Sequence, residues 1–307
     1  MNIAVLGPGG VGGLLAGALA RARARVVVLA RESTAATISE RGLRVSSILL
    51  GDFTAHPRAV ARLEETVDAL IVATKAAGLR DALERVDGSP GLVLPLLNGL
   101  DHIAVLRERF GDDTVVAGTI RVEADRPEPG VVVHTSRFLV VDMASHDPAA
   151  RAPMEALAAT LTRAGIPARV DDSEPQVMWS KLVRLNALAC TTSAYDRLLG
   201  EIRSTPELRA ELVAAIEEGC VVARAEGASI ASADPLGELT AAHAALGSSM
   251  QRDIAAGRPP ELDAIPGAVL RAAARHGIAC PTIERLAGMI AARAGVSSPV
   301  VARAAED

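Results

Sequence analysis

Lysine is nearly absent from this chain: of 32 basic residues only Lys75 and Lys181 are lysine, and the rest are arginine. In such a composition arginine fills ordinary surface positions, so a retained lysine points to work that arginine cannot do. A guanidinium keeps its proton near neutral pH, whereas a buried ammonium can release one. The plain alternative is two surface lysines without a role. Asparagine is as scarce, with only Asn2, Asn98 and Asn186. The three cysteines (Cys190, Cys220, Cys280) form no CxxC pair, which excludes a disulfide scaffold and fits a reducing cytoplasm. The six histidines show no HxxxH or HExxH spacing, so no metal site is expected. A net charge of −5 with scattered basic residues gives no footprint for nucleic acid. Residues 1–20 carry no charged side chain, but no basic segment precedes them, and Pro8 with six glycines would make a poor membrane helix. Neither a signal sequence nor a membrane anchor is expected.

What is present is a globular composition, half hydrophobic and 22% charged. Short β-branched runs, NIAVL (2–6), VVVLA (26–30), LRVSSILL (43–50), ALIVAT (69–74), LVLPLL (92–97) and TVVAGTI (114–120), read as strands. Helix-like segments separate several of them, as at 76–85 and 101–110. That alternation predicts a doubly wound parallel sheet. GVVVHT (130–135) and RFLVVDM (137–143) read as an antiparallel hairpin added to it. Beyond about residue 148, strand-like runs nearly vanish apart from IPARV (166–170). Helices are expected over 149–164, 175–200, 206–226, 234–256, 260–276 and 282–293, several with proline near their starts, where it is tolerated. We therefore expect an α/β fold in two domains: residues 1–170 as a Rossmann-type nucleotide-binding domain and 171–307 as an all-helical one. The acidic tail RAAED is expected to fray.

Gly7-Pro8-Gly9-Gly10-Val11-Gly12 matches GxGxxG between a strand and a helix. The first glycine permits a tight turn, the second lets the backbone approach a pyrophosphate, and the third lets helix pack on strand. The helix N-terminus offers unpaired N–H groups and the positive end of its dipole. A ligand-free glycine turn is the alternative. After the second strand the chain reads Ala30-Arg31-Glu32-Ser33. An arginine there accommodates a 2′-phosphate, so NADP is favoured. Glu32, displaced by a residue, is the acid an NAD site would need.

Lys75 follows the strand ALIVAT, at the end of the sheet where ligands bind. Asn98, in LLNGLD, also lies just beyond a strand, though Asn-Gly is equally a common turn signal. Lys181 stands beside the only tryptophan. VLGPGGVG, ATKAAG, LLNGLD, WSKL, SSMQRDI and RPPELDAIPG, in this order, resemble the ketopantoate reductase (2-dehydropantoate 2-reductase) family over nearly the full length. The resemblance implies a Rossmann domain followed by a helical domain like that of 6-phosphogluconate dehydrogenase. It also implies NADPH-dependent reduction of a 2-oxo acid. Lys181 would be the general acid and Glu261 its supporting carboxylate. Ser249 would bind substrate, Asn98 would lie near cofactor and substrate, and Lys75 would lie by the cofactor. Such domains often pair, so a homodimer is an open option.

The sequence departs from the family pattern at one place. Asparagines are usual four and eight residues after the WSKL lysine, and here those positions are Leu185 and Ala189. Asn186 falls one residue late, about 100° round a helix, and takes the substrate-facing position only with a local bulge. A more apolar pocket would suit another branched or aromatic 2-oxo acid, as in D-mandelate dehydrogenase. Two other readings are a non-catalytic NADP-binding redox sensor and an imine or opine-type dehydrogenase.

Overall fold

Ile3–Leu6 are buried without exception in the computed structural model, which describes residues 1–299. They belong to β1 (Asn2–Leu6), followed by α1 (Gly10–Arg21), β2 (Arg25–Leu29), α2 (Glu32–Arg41), β3 (Leu43–Ser47) and β4 (Phe53–Ala55). Next come β5 (Arg58–Val60), β6 (Ala69–Val72), α3 (Leu79–Leu83), β7 (Val93–Pro95) and α4 (His102–Phe110). Five strands form a parallel sheet of order β5-β2-β1-β6-β7, with Ile3 beside both Val26 and Ala69. Alternate residues serve two apolar layers, as the two-residue period of a strand requires. Ile3, Val5, Val26, Val28 and Ile71 pack with Leu14, Leu15 and Leu19 of α1. Ala4, Leu6, Leu29, Leu70 and Val72 pack with Leu79, Leu83 and Leu106. The order runs outward in both directions from β1 and β6, so their C-terminal ends mark the switch point where ligands of such sheets bind.

The chain continues through β8 (Ala117–Arg121), β9 (Ala124–Glu128), β10 (Val131–His134), β11 (Val140–Ala144), α5 (Arg151–Arg163) and β12 (Ala168–Asp171). The hairpin expected of 130–135 and 137–143 does not form. β10 pairs with β3 and β9 in one sheet, whereas β11 pairs with β8 and β12 in another. Ser136 sits between them: its hydroxyl donates to the carbonyl of Phe138 (2.7 Å) and accepts the amide of Glu123 (2.9 Å). The linker is thereby fastened so that it crosses from sheet to sheet instead of folding back.

α6 (Glu174–Tyr195) leads into α7 (Leu199–Ser204), α8 (Pro206–Ala225), α9 (Ala233–Ala241), α10 (Ser249–Ala255), α11 (Ala268–Arg275) and α12 (Pro281–Ala294). Pro206 and Pro281 open their helices, where the missing N–H costs nothing. Three expected helices are interrupted, each for a local reason. The helix expected over 175–200 breaks at Asp196, which adopts φ +52°. The one expected over 234–256 breaks after Ala241, where Arg203 donates to the carbonyls of Leu239 (2.8 Å) and Ala242 (2.9 Å), and Ser248 then caps α10. The one expected over 260–276 begins with a π-helical turn, Asp263–Gly267, that contains Pro266. Proline lacks the N–H and crowds the carbonyl four residues back, and the wider turn relieves both.

Two compact units result. The first is Met1–Leu97 with His102–Val177, and the second is Asn98–Asp101 with the described residues from Met178 on. The division thus falls inside α6, and four residues after β7 group with the helical unit. Leu100 packs, partly buried, against the helical core. The tail Arg303–Asp307 lies outside the described residues.

His134 is 1% exposed on β10. Ser136 donates to a carbonyl, so its oxygen accepts from His134 Nε2–H (3.1 Å). Ser47 Oγ accepts the amide of Leu50 (2.9 Å) and donates to His134 Nδ1 (2.8 Å). This network holds the ring neutral, and burial pushes its pKa below the ordinary histidine value. The unfolded chain therefore takes up a proton at higher pH than the folded one, and stability falls as pH descends through the histidine range. We expect the melting temperature to drop between about pH 7.5 and 5.5, and the drop to shrink in His134→Gln. Equal slopes in wild type and variant would show that another group governs the change.

Candidate active site

Each glycine of the first loop has a separate physical reason to be there. Gly7 takes φ +89°, and a Cβ on it would lie 2.8 Å from Thr74 Cγ2. On Gly12 a Cβ would lie 2.2 Å from Gly7 O, and on Gly10 2.2 Å from Ala124 O, so both are close-packing positions. Gly9 alone faces open space, with nothing within 4 Å of a Cβ. Val11 packs partly buried against the first core layer. No side chain caps α1 and no acidic residue occupies its first turn, which leaves backbone N–H groups for an anion. Thr74, just past β6 and against Gly7, has a buried hydroxyl without a hydrogen-bond partner. Open space beside Gly9, unpaired amides and an orphaned hydroxyl together fit a pyrophosphate-bearing cofactor. Lys75 follows as an exposed residue at the start of a 3₁₀ turn, Ala76–Gly78.

Arg31 is exposed at the start of α2 and has no ion-pair partner among the described residues. Its neighbour Glu32 is engaged: Arg85 Nη1 donates to its carboxylate at 3.2 Å. A bond from its own backbone and this guanidinium hold the Glu32 carboxyl below the usual range, so it stays ionised.

In the second unit, hydrogen bonds connect Lys181, Asn98 and Glu261. Lys181, on α6, is 9% exposed. Its Nζ donates to Asn98 Oδ1 at 2.8 Å, and Asn98 Nδ2 donates to Glu261 Oε2 at 3.0 Å. This orientation of the amide is the one its neighbours permit, because a reversed amide would aim N–H at an N–H donor. Glu261 accordingly serves as an acceptor. Asn98 reaches this place through Gly99, which takes φ +86° and lies so close to the next segment that a Cβ would be 2.0 Å from Ala264 O. The Asn-Gly pair is therefore both a turn and a close backbone approach.

The other residues singled out from sequence do not join these bonds. Ser249 is exposed at the first position of α10. Its neighbour Ser248 is buried and caps the helix, accepting the amide of Gln251 (3.1 Å) and the hydroxyl of Thr192 (2.9 Å). Asn186 is fully buried, its Oδ1 accepting from Cys190 Sγ (3.4 Å) and its Nδ2 unsatisfied. α6 runs unbroken through this region, so no bulge turns Asn186 onto the face of Lys181. Leu185 is half-buried against the helical core and Ala189 is fully buried. Sequence reasoning passed over two residues. Thr74 was adjacent to a singled-out lysine. Arg271, which bonds both Asp101 and Asp263, carried no signal in an arginine-rich chain.

The model for ketopantoate reductase PanE/ApbA matches residues 3–145, and that for its C-terminal part matches residues 175–294. The chain belongs to the ketopantoate reductase family. The 2-dehydropantoate 2-reductase of Halobacterium salinarum is 31% identical over 299 residues, covering 94% of this chain and 98% of that protein. The solved 2-dehydropantoate 2-reductase of Geobacter metallireducens is 27% identical, with a TM-score of 0.85 over 94% of this chain and 99% of that one. D-mandelate dehydrogenase, solved with NADH and anilino(oxo)acetate, shares the fold at 22% identity, with a TM-score of 0.86 over 96% and 99%. As a family member this protein is an oxidoreductase acting on CH–OH groups. Among the described residues, no helix is long and apolar enough to cross a membrane, and no cluster of three or more His, Cys, Asp or Glu could hold a metal ion.

The glycine geometry of this ketopantoate reductase family member gives a direct check. Gly9→Ala should cost at most about 1 kcal/mol of stability, because its Cβ meets nothing. Gly12→Ala must displace backbone, and should cost about 3 kcal/mol or more in denaturant unfolding. Equal costs would mean that Gly12 does not pack as described.

Proposed function

We propose that this protein reduces a small branched 2-oxo acid to the corresponding 2-hydroxy acid with NADPH, ketopantoate to pantoate being the first candidate. The observation that carries this reading is the chain of hydrogen bonds from Lys181 through Asn98 to Glu261. When bound, the nicotinamide supplies a hydride to the keto carbon. Lys181 as an ammonium offsets the negative charge that grows on the keto oxygen and then gives it a proton, leaving a hydroxyl and a neutral amine. Asn98 fixes the direction of the Lys181 side chain, and Glu261 places a carboxylate charge at the far end of the amide. Gly9, the unpaired amides of α1 and Thr74 would hold the pyrophosphate, with Lys75 adding positive charge nearby. Arg31, exposed and without an ion-pair partner, would receive a 2′-phosphate. The acid that an NAD site would require, Glu32, is occupied by Arg85. Three buried cysteines, unpaired in the structure, fit a cytoplasmic enzyme.

Leu185 and Ala189, one and two turns beyond Lys181 on α6, favour a second reading in which the substrate is a less polar branched or aromatic 2-oxo acid. NADPH oxidation with ketopantoate beside a panel of such acids decides between the two. Strong preference for ketopantoate supports the first reading and preference for an apolar acid the second; no turnover with any 2-oxo acid would overturn both. In Lys181→Ala we expect kcat to fall about a thousandfold while NADPH affinity stays within about twofold. A variant keeping a tenth of the wild-type kcat would remove Lys181 from the chemistry. Arg31→Ala should weaken NADPH binding about tenfold or more and leave NADH binding nearly unchanged. Equal losses for both nucleotides would argue against a 2′-phosphate contact.

A further inference from the structure

We propose that Arg271 is a positioning residue: its guanidinium clamps the segment carrying Asn98 to the segment carrying Glu261, and so sets the geometry at Lys181. The inference rests on the reductase reading of those three residues. Arg271 stands on α11, and its Nη2 donates to Asp101 Oδ2 at 2.5 Å. Its Nη1 donates to Asp263 Oδ1 at 2.6 Å, and Nη2 also reaches the backbone carbonyl of Asp263 at 2.9 Å. Asp101 lies three residues after Asn98, and Asp263 two after Glu261. One planar fork therefore holds both strips of backbone, a geometry that a single ammonium cannot reproduce.

The surroundings show why such a clamp is needed. Between the two bonds, Gly99 presses against the carbonyl of Ala264 with no room for a Cβ, so the strips touch through backbone alone. The Glu261 strip enters a π-helical turn with Pro266 inside it, which departs from the regular ladder that would otherwise fix its position. The Asn98–Asp101 strip contains neither helix nor strand. Neither segment is anchored by regular secondary structure at the residue that matters.

The charge pairs themselves are open to water, with Asp101 51% and Asp263 81% exposed in their side chains. Ion pairs so exposed contribute little to folding stability. Loss of the clamp should accordingly be read in turnover rather than in unfolding, because a displacement of about 1 Å at a reacting group costs up to a hundredfold in rate.

The test compares full-length wild type, Arg271→Ala, Arg271→Lys and Asp101→Asn, each also in an Asn98→Ala background. We expect Arg271→Ala to lower kcat about ten- to a hundredfold, with NADPH affinity within about twofold and the melting temperature within a few degrees of wild type. Arg271→Lys should recover part of the loss and Asp101→Asn should show a smaller one. In the Asn98→Ala background, Arg271→Ala should lower kcat by less than about twofold further, since it acts through Asn98. An undiminished kcat, or a full loss repeated in that background, overturns the proposal; Asp101→Asn gives the same decision should Arg271→Ala not fold. Amide hydrogen exchange supplies an arm that needs no turnover. Exchange at 98–101 and 261–267 should quicken about tenfold in Arg271→Ala, and unchanged exchange there rejects the clamp even if no 2-oxo acid proves to be a substrate.

Discussion

A carboxamide accepts a hydrogen bond at one end and donates at the other without changing protonation, and Asn98 uses both ends, toward Lys181 and Glu261. Aspartate in its place would offer Lys181 an acceptor but face Glu261 with like charge. The rest of the helical unit's candidate site is arranged to hold this amide in place. Gly99 supplies the positive φ and the absent Cβ, Leu100 ties the strip to the apolar core, and Lys181 approaches from α6. Lys181 and Glu261 are thereby kept in a fixed order by a neutral group, the preorganised arrangement that the proposed proton transfer would use.

The Rossmann unit solves a different problem with different means. Its candidate phosphate cradle is made of backbone, and the glycines divide between those that must pack closely and the one that leaves open space. In the proposed reading, charge selection would be added at the rim by side chains. Arg31 is exposed and unpaired among the described residues, while Arg85 occupies the carboxylate of Glu32, its chain neighbour. Preference among nucleotides would then depend on a residue far from Glu32 in sequence as well as on the two at the end of β2.

How much of this could be read from the sequence follows the range of the interactions. The glycine loop and the parallel strands were legible as local patterns, and Lys181, a compositional anomaly, lies against Asn98, whereas Lys75 is an exposed residue at a 3₁₀ turn. The first unit's alternation of strand and helix was equally plain, whereas the hairpin expected at 130–143 depended on what Ser136 bonds, which no run of residues displays. Helices were placed but their interruptions were not. Asp196 ends α6 with a positive φ, Arg203 caps α9 from another helix, and Pro266 demands a wider turn. The scarcity of asparagine drew attention to both Asn98 and Asn186, but only the first lies beside Lys181, since an unbroken helix buries the second. Arg271 was invisible, because one arginine among so many carries no signal until its two aspartates are brought together by the fold.

The role of Lys181 is tested most directly by a crystal structure of the protein with a nicotinamide cofactor and an unreactive 2-oxo acid analogue. The keto oxygen, or the atom standing for it, should lie within about 3 Å of Lys181 Nζ, with the Asn98 amide still spanning Lys181 and Glu261. A keto oxygen held by other groups, with Lys181 turned from it, would contradict the assignment of Lys181 as proton donor and with it the role given to Asn98.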